Sequence, residues 1–295
     1  MITYFTTAKD FSGNTGIAQK NAIRSWHHSQ PGCQIIIFGS SNGLEELSKE
    51  PDIAVYPSVQ TSQEGTPRID DMFMKAQQLA LHSICCFINA DIIVTRKFAD
   101  TLREIDTAIK GNYLIAGQRV DVQLDHVISF NDQWEVSFLD YVKAYGRRHA
   151  PAGSDFFAFP KGQFKPGEIP ELLVGRGGWD LWMIYHGRVR NAKVIDISPT
   201  IQVVHQNHDY AHRKNGYVSY DHDAEAQINL SHIPVGETYP YTLMACNYSY
   251  KNGHVRHNFA RCHPRWFLSQ ELHLRTHRSP FKEIRAILKF GKLVR

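Results

Sequence analysis

The sequence predicts an α/β fold with a mostly parallel central sheet flanked by helices. In the first 116 residues, short continuous apolar segments alternate with amphipathic ones. This alternation is typical of parallel strands that are buried on both faces and connected by helices. Apolar residues make up 42% of the 295 residues. The chain can therefore build a sizeable core, and a disordered protein is excluded.

The elements follow from local patterns, taken in chain order. A short apolar run predicts a strand over Ile2–Thr6, and apolar residues at helical spacing predict a helix over Thr15–Trp26. The β-branched run Gln34–Phe38 predicts a second strand, ended by a segment of glycine, serine and asparagine. A short helix over 44–49 and a short strand over 53–56 follow.

The same alternation continues to residue 116. Ile69–His82 is predicted as a helix because its apolar residues recur every three or four positions. Ser83–Ile88 is a buried strand, followed by a helix over Phe98–Lys110 and a strand over Tyr113–Ala116. Further along the chain, the run Phe156–Phe159 is predicted as another short buried strand.

Charge is concentrated at the C-terminal end. Residues 275–295 hold seven basic residues and one acid, so they carry a net charge of +6 and leave −2 for the preceding residues. A near-neutral body is not typical of a nucleic-acid-binding surface. We divide the chain into a main domain, 1–235, and an extension, 236–295, that ends in a basic amphipathic helix. This helix either docks on the body or binds an anionic membrane.

The sequence also indicates where the protein resides. Its five cysteines are odd in number and lack paired metal spacing, which favours a reduced protein. No apolar run approaches the ~18–20 residues that span a bilayer, and the first residues lack the features of a secretory signal. We expect a cytoplasmic protein that contacts the inner face of the membrane, if at all, through its basic helix.

Polar residues follow the strand that ends at Ile88. Asn89 and Asp91 are two positions apart, so in an extended segment their side chains point the same way. Ligands of such sheets bind at the carboxyl ends of strands. The absence of GxGxxG, GxxxxGK[ST] and GxSxG segments argues against nicotinamide enzymes, P-loop NTPases and hydrolases with a nucleophile elbow.

Two later motifs also carry candidate chemistry. Asp180 follows the glycine-rich segment 175–178 at the start of a predicted helix, where it is either a general base or an ordinary helix-start acid. Residues 205–212 hold three histidines and an aspartate after a strand-like segment, Ile201–Val204. These histidines are either ligands of Mn, Zn or Fe or structural groups.

The order of these motifs resembles that of nucleotide-diphospho-sugar transferases of the GT-A fold. A strand ending in NAD is followed by GSDFFAFP, GRGGWD and VVHQNHDY segments. More narrowly, the chain resembles bacterial glycosyltransferase-like proteins that carry NADI and HQNHDY segments. The resemblance extends from Thr3 to Leu230 and implies a fold, an activity and roles for the matching residues.

By this resemblance, Asp91 holds a divalent metal, Mn²⁺ or Mg²⁺, beneath the donor diphosphate. Asn89 stands where the family's DxD motif has its first aspartate. His205, or else His208, completes the metal site, and Asp180 deprotonates the acceptor hydroxyl. The resemblance places the remaining donor contacts at Thr6, Lys9, Arg68 and Asp71. The polar and aromatic residues expected to face the acceptor are Asp121, Trp134, Ser154, Asp155 and Trp179.

The resemblance therefore implies a metal-assisted glycosyltransferase that uses a UDP-sugar or a related donor, a glycan or lipid-linked acceptor and an inverting mechanism. Two alternatives stay open at the level of sequence. One is a nucleotide-sugar-binding module without turnover, suggested by Asn89 and Trp179. The other is a metal-dependent hydrolase that uses His205, His208, Asp209 and His212.

Overall fold

A computed structural model describes residues 1–207, 223–233 and 241–258. The helices are α1 (Gly13–Ser29), α2 (Leu44–Leu47), α3 (Ile69–Leu79), α4 (Arg96–Ala108), α5 (Trp134–Tyr145), α6 (Trp179–Val189) and α7 (Ala224–Ser231). The first strands are β1 (Ile2–Thr7), β2 (Gln34–Phe38), β3 (Ile53–Tyr56), β4 (Ile84–Ile88), β5 (Ile92–Ile93), β6 (Tyr113–Ala116) and β7 (Arg119–Val122). The later strands are β8 (Arg147–Arg148), β9 (Phe156–Pro160), β10 (Lys193–Asp196), β11 (Val203–Gln206), β12 (Tyr248–Lys251) and β13 (His254–His257).

Nine of the described strands form one sheet with the order β13-β12-β10-β6-β9-β4-β1-β2-β3. Strand β9 runs antiparallel to β4 and β6, and β13 runs antiparallel to β12. The other neighbouring strands pair in parallel. The predicted α/β fold with a mostly parallel central sheet flanked by helices is therefore confirmed.

The core lies on both faces of this sheet because successive side chains of a strand point to opposite faces. Tyr4 packs with α1 and α4 on one face, and its neighbour Phe5 packs with α3 and α6 on the other. In the second layer, Phe5 and Phe73 meet edge to face with ring centroids 5.0 Å apart. Continuous burial on both faces explains why the central strands β1, β2, β4, β6 and β9 have nearly continuous apolar sequences.

A smaller sheet with the order β5-β11-β7-β8 lies beside the main one. Strand β11 pairs antiparallel with β5 and parallel with β7. The sequence indicated a strand over Ile201–Val204, but the strand runs from Val203 to Gln206. His205 therefore lies within a strand between two partners, not after its end.

Several boundaries differ from the sequence-based predictions. The helix predicted over Ile69–His82 ends at Leu79, because Ala80 already has extended backbone angles. Strand β12, which lies in the predicted extension, pairs with β10 of the main sheet, and the division at residue 235 stays a prediction. The basic helix predicted near the C-terminus lies outside the described residues. Within the described ranges, no helix is long and apolar enough to cross a membrane.

Candidate active site

The loop after β4 meets the start of β9 at the carboxyl edge of the sheet. The backbone N–H of Asn89 donates to the carbonyl of Asp155 over 2.8 Å, which extends the β4–β9 pairing by one residue. The side-chain Nδ2 of Asn89 also donates to Oδ1 of Asp155, at 2.9 Å. Asn89 and Asp155, proposed from two separate motifs, are therefore direct partners.

Asp91 and His205 form the next pair along this edge. Oδ2 of Asp91 lies 3.6 Å from Nε2 of His205. Their approach follows from sheet register, because Ile92, which directly follows Asp91, pairs with His205 between β5 and β11. The histidine side chain is 12% exposed. A carboxylate oxygen and an imidazole nitrogen therefore face each other in a largely enclosed setting.

Asp121 lies on the other side of the His205 ring. Its Oδ1 is 3.1 Å from Nδ1 of His205, and its Oδ2 is 2.8 Å from Nδ1 of His149. Arg119 is two positions before Asp121 in β7, so the two side chains share one face of the strand. Nε of Arg119 is 2.8 Å from Oδ1 of Asp121. The carboxylate thus contacts three basic side chains.

Arg119 connects this group to Asp155. Its Nη1 donates to both carboxylate oxygens of Asp155, each at 2.9 Å. A continuous chain of contacts now joins the candidate residues of four sequence segments. In order along this polar network, the residues are Asp91, His205, Asp121, Arg119, Asp155 and Asn89.

The charges of the polar network stabilise one another. Burial by itself lowers the pKa of His205, but the carboxylates of Asp91 and Asp121 raise it to about 10. Burial acts to raise the pKa of Asp121, but contacts with His205, Arg119 and His149 hold it well below its ordinary value. Without a bound cation, the network therefore contains an imidazolium between two carboxylates.

Asp180 adjoins the polar network at the N-terminus of α6. Its Oδ2 accepts a hydrogen bond from the backbone N–H of Ser154 at 3.2 Å. Burial raises the pKa of Asp180 to about 6, and the nearby charge of Asp155 acts in the same direction. The hydroxyl of Ser154 is buried and has no hydrogen-bond partner among the described residues. The result is a carboxylate of raised basicity that is bound to the backbone of Ser154.

The glycine-rich loop before Asp180 is held by α7. Glu225 accepts hydrogen bonds from Ser62 Oγ at 2.5 Å, Thr66 Oγ1 at 2.7 Å and Arg176 Nε at 2.6 Å. At Gly178, φ is +100°, and a Cβ would lie 2.9 Å from Leu230 of α7. Glycine is therefore required here for both conformation and space. Glu225 belongs to none of the sequence motifs, since it lies about 50 residues beyond the loop that it holds.

The residues predicted to bind the donor nucleotide are more dispersed. Thr6 is buried near the carboxyl end of β1, and Lys9 is exposed just beyond that strand. Arg68 pairs with Asp70 at 2.6 Å and Glu171 at 2.9 Å. Asp71 accepts from the backbone N–H of Gln60 and pairs with Lys75, both at 2.8 Å. Arg68 and Asp71 are thus engaged in local contacts.

Two aromatic residues that we predicted to face an acceptor belong to the core instead. Trp179 is 5% exposed and packs edge to face on Phe87 and Phe157. Trp134 is 8% exposed and packs against Phe130. Neither ring provides an open platform for a sugar. His208, the alternative metal ligand, lies outside the described residues, as do Asp209 and His212.

The donor set at Asp91 and His205 fits a hard or borderline divalent cation that also binds phosphate. Such cations are commonly held by one or two protein ligands, with phosphate oxygens and water completing the shell. Among the described residues, no group of three or more His, Cys, Asp or Glu side chains has the arrangement of a metal site. The pair therefore suits a cation shared with a ligand, and not a closed structural metal centre.

No family model matches the sequence, and no curated protein matches it. Among solved structures, S. aureus TarS residues 1–349 in complex with UDP-GlcNAc has a TM-score of 0.42 and 11% identity, covering 74% of this chain and 62% of that one. A protein from Desulfovibrio desulfuricans G20, proposed to be a nucleotide-diphospho-sugar transferase, has a TM-score of 0.44 and 10% identity, covering 77% and 93%. The chain thus spans less than two thirds of the TarS chain. Similarity at this level does not place the chain in a family.

Proposed function

We propose that the protein is a glycosyltransferase that moves a sugar from a nucleotide-diphosphate donor to a hydroxyl acceptor. The observation that carries the proposal is the polar network at the carboxyl edge of the sheet. The network holds the Asp91–His205 pair, 3.6 Å apart, and it adjoins Asp180, whose pKa is raised to about 6. One part suits a cation on a diphosphate, and the other suits proton abstraction from a hydroxyl.

Asp91 and His205 are the residues that would hold Mn²⁺ or Mg²⁺. A bound cation supplies positive charge that offsets the charge developing on the leaving diphosphate. Asn89 does not add a second carboxylate, because its amide donates to Asp155. Its carbonyl oxygen can still accept a hydrogen bond from a ribose hydroxyl or from water.

Asp180 is the proposed general base. With a pKa of about 6, it is ionised at neutral pH and more basic than an ordinary aspartate. The acceptor oxygen attacks the anomeric carbon while its proton passes to Asp180. The bond from that carbon to the diphosphate oxygen breaks, and its electron pair leaves with the nucleoside diphosphate. A single displacement of this kind inverts the anomeric centre.

Ser154 and Asp155 support the acceptor side of the proposal. The Ser154 hydroxyl is buried beside Asp180 and has no hydrogen-bond partner among the described residues. Its unfilled hydrogen-bonding capacity is the basis for proposing Ser154 as an acceptor contact. On the donor side, Thr6 and Lys9 near the carboxyl end of β1, together with Arg68 and Asp71, stay the proposed nucleotide contacts.

Ligand-induced stabilisation tests the donor class. Thermal unfolding is followed with UDP, GDP, CDP and UDP-GlcNAc, the ligand bound to TarS, each with and without Mn²⁺. A ligand bound only by the folded state adds about 2.7 kcal/mol to the stability at a hundredfold excess over Kd. We expect one nucleotide to stabilise the protein in a Mn²⁺-dependent way.

The Asp91→Ala variant should lose that dependence. Asp125→Ala is a matched control, because the Asp125 side chain is 79% exposed and, among the described residues, makes a surface pair with His126. Stabilisation by nucleotide without sugar release or transfer would favour the binding module. No nucleotide effect, together with strong Zn²⁺ stabilisation lost in His205→Ala, would overturn the transferase in favour of the hydrolase.

A further inference from the structure

We propose that Asp121 is a positioning residue that fixes the ring of His205 with Nε2 toward Asp91. This inference rests on the proposed function, in which Asp91 and His205 share a divalent cation. It replaces the sequence-based expectation that Asp121 contacts the acceptor.

Sheet register brings Asp121 and His205 together. Strands β7 and β11 are parallel, and Asp121 is the direct partner of His205 in their register. Neighbouring strands lie about 4.8 Å apart, and paired residues project from the same face. The carboxylate and the imidazole are therefore held side by side by two backbones.

Both oxygens of Asp121 already contact basic groups of the protein. Oδ1 faces Nδ1 of His205 at 3.1 Å and Nε of Arg119 at 2.8 Å. Oδ2 faces Nδ1 of His149 at 2.8 Å. These ion-pair contacts hold the carboxylate beside the histidine ring from two sides. They leave it less suited to binding an acceptor hydroxyl.

The contact between Asp121 and His205 determines which ring nitrogen of the histidine carries the proton. When Nδ1 carries a proton directed at a carboxylate, Nε2 presents its lone pair to a cation. Here Nε2 is the nitrogen that faces Asp91. A carboxylate behind the ring therefore selects both the tautomer and the orientation that a cation held with Asp91 requires.

Arg119 adds a second constraint. Its guanidinium contacts Asp121 through Nε and Asp155 through Nη1. The positive charge of Arg119 thus balances two carboxylates and keeps Asp121 from turning away from the ring of His205. Asp121 is therefore connected to Asp155 through Arg119.

Electron paramagnetic resonance of Mn²⁺ tests the inference without measuring turnover. Mn²⁺ is titrated into the full chain in the presence of UDP, and the ¹⁴N coupling to the bound ion reports an imidazole ligand. His205→Ala gives the spectrum expected without that ligand. We expect Asp121→Ala to weaken Mn²⁺ affinity by about 10- to 100-fold and to lose the ¹⁴N coupling.

Asp121→Asn and Asp125→Ala complete the series. An asparagine oxygen can still accept from Nδ1 of His205, so Asp121→Asn should retain the coupling and show a smaller loss of affinity. If Asp121→Ala does not fold, Asp121→Asn is the variant that tests the inference. Asp125→Ala, which alters an exposed carboxylate near the same strand, should match the wild type.

Wild-type affinity and ¹⁴N coupling in Asp121→Ala would overturn the inference and leave the proposed function standing. If Asp121→Ala does not fold, coupling absent from a folded Asp121→Asn would also overturn it. Absence of Mn²⁺ binding in the wild type would overturn the metal site and this inference together. Stabilisation by UDP in metal-free protein would then show separately whether the nucleotide site survives.

Discussion

The side chain of Asn89 donates a hydrogen bond to the carboxylate of Asp155 across 2.9 Å. Asp155 is buried and also receives Nη1 of Arg119 at both of its oxygens. An aspartate at position 89 would place a second carboxylate against the first. The amide thus pairs with Asp155 without adding a second negative charge at this position.

Asn89→Asp should destabilise the protein in a pH-dependent way. The introduced carboxyl faces Asp155, so its pKa in the folded state should be raised. Stability should then fall as the pH rises through that raised pKa, and we expect a cost of about 1–3 kcal/mol at pH 7.5. Urea unfolding of both proteins at pH 5 and pH 7.5 measures the difference.

Asn89→Ala is the control for this substitution, because it removes the hydrogen bond without adding charge. Its effect should be similar at the two pH values. A cost for Asn89→Asp that is likewise independent of pH would contradict the role assigned to the Asn89–Asp155 contact.

Sequence periodicity was sufficient for the first half of the sheet, because those strands are buried on both faces and read as continuous apolar runs. It did not reveal β7, which alternates half-buried polar and buried apolar residues, or the two-residue strand β5. These short strands set the register that brings Asp121 to His205. The individual polar residues were visible in the sequence, but their partners depend on that register.

For aromatic residues, the sequence suggested a functional role where the structure shows packing in the core. Trp134 and Trp179 were expected to face a sugar because they lie beside polar residues in the sequence. Helical periodicity places Trp179 on the apolar face of α6, where it packs on Phe87 and Phe157. Burial of a large ring contributes about 1.5–3 kcal/mol, so packing decides the position of such a residue unless an open platform is available.

Asp180 should set the acidic limb of the activity profile. If it is the general base, kcat/KM should fall below pH 6, because the carboxyl becomes protonated around its raised pKa of about 6. Asp180→Asn should lower kcat by about 10²- to 10⁴-fold and remove this limb. Initial rates of nucleotide release from pH 4.5 to 8 provide the measurement.

Asp140→Asn, an exposed change on α5, is the matched control and should retain the wild-type profile. An Asp180→Asn enzyme that keeps both its rate and its acidic limb would exclude Asp180 as the base.

The same carboxyl should affect stability. Its folded-state pKa of about 6 exceeds the ordinary value of 3.8, because burial disfavours the charged form. The folded state therefore binds the proton more tightly, and this group contributes less stability as pH rises from about 4 to 6. Asp180→Asn should accordingly gain stability relative to wild type as the pH increases through this range.

Chemical unfolding of wild type and Asp180→Asn at pH 4, 5, 6 and 7 tests that expectation. The difference between the two proteins is the relevant quantity, since Asp121, Glu168 and Glu225 have lowered pKa values and act in the opposite direction. A difference that is constant across the series would mean that Asp180 titrates normally.

Glu225 should be required to hold the loop that precedes Asp180. It accepts from Ser62, Thr66 and Arg176, and Asn229, on the same helix, accepts from the backbone N–H of Leu173 at 2.8 Å. Glu225→Ala leaves the guanidinium of Arg176 without its carboxylate. We expect a loss of about 1–3 kcal/mol in unfolding free energy and faster hydrogen exchange in residues 175–178.

The pH dependence of this loss provides a second measurement. Burial acts to raise the pKa of Glu225, but hydrogen bonds from Ser62, Thr66 and Arg176 lower it on balance. The stabilisation should therefore be present at neutral pH and decline as the pH falls through the lowered pKa. Glu46→Ala is the control, because the Glu46 side chain is 75% exposed and such surface pairs contribute only about 0–1 kcal/mol. Equal effects of the two substitutions would mean that α7 does not hold the loop through Glu225.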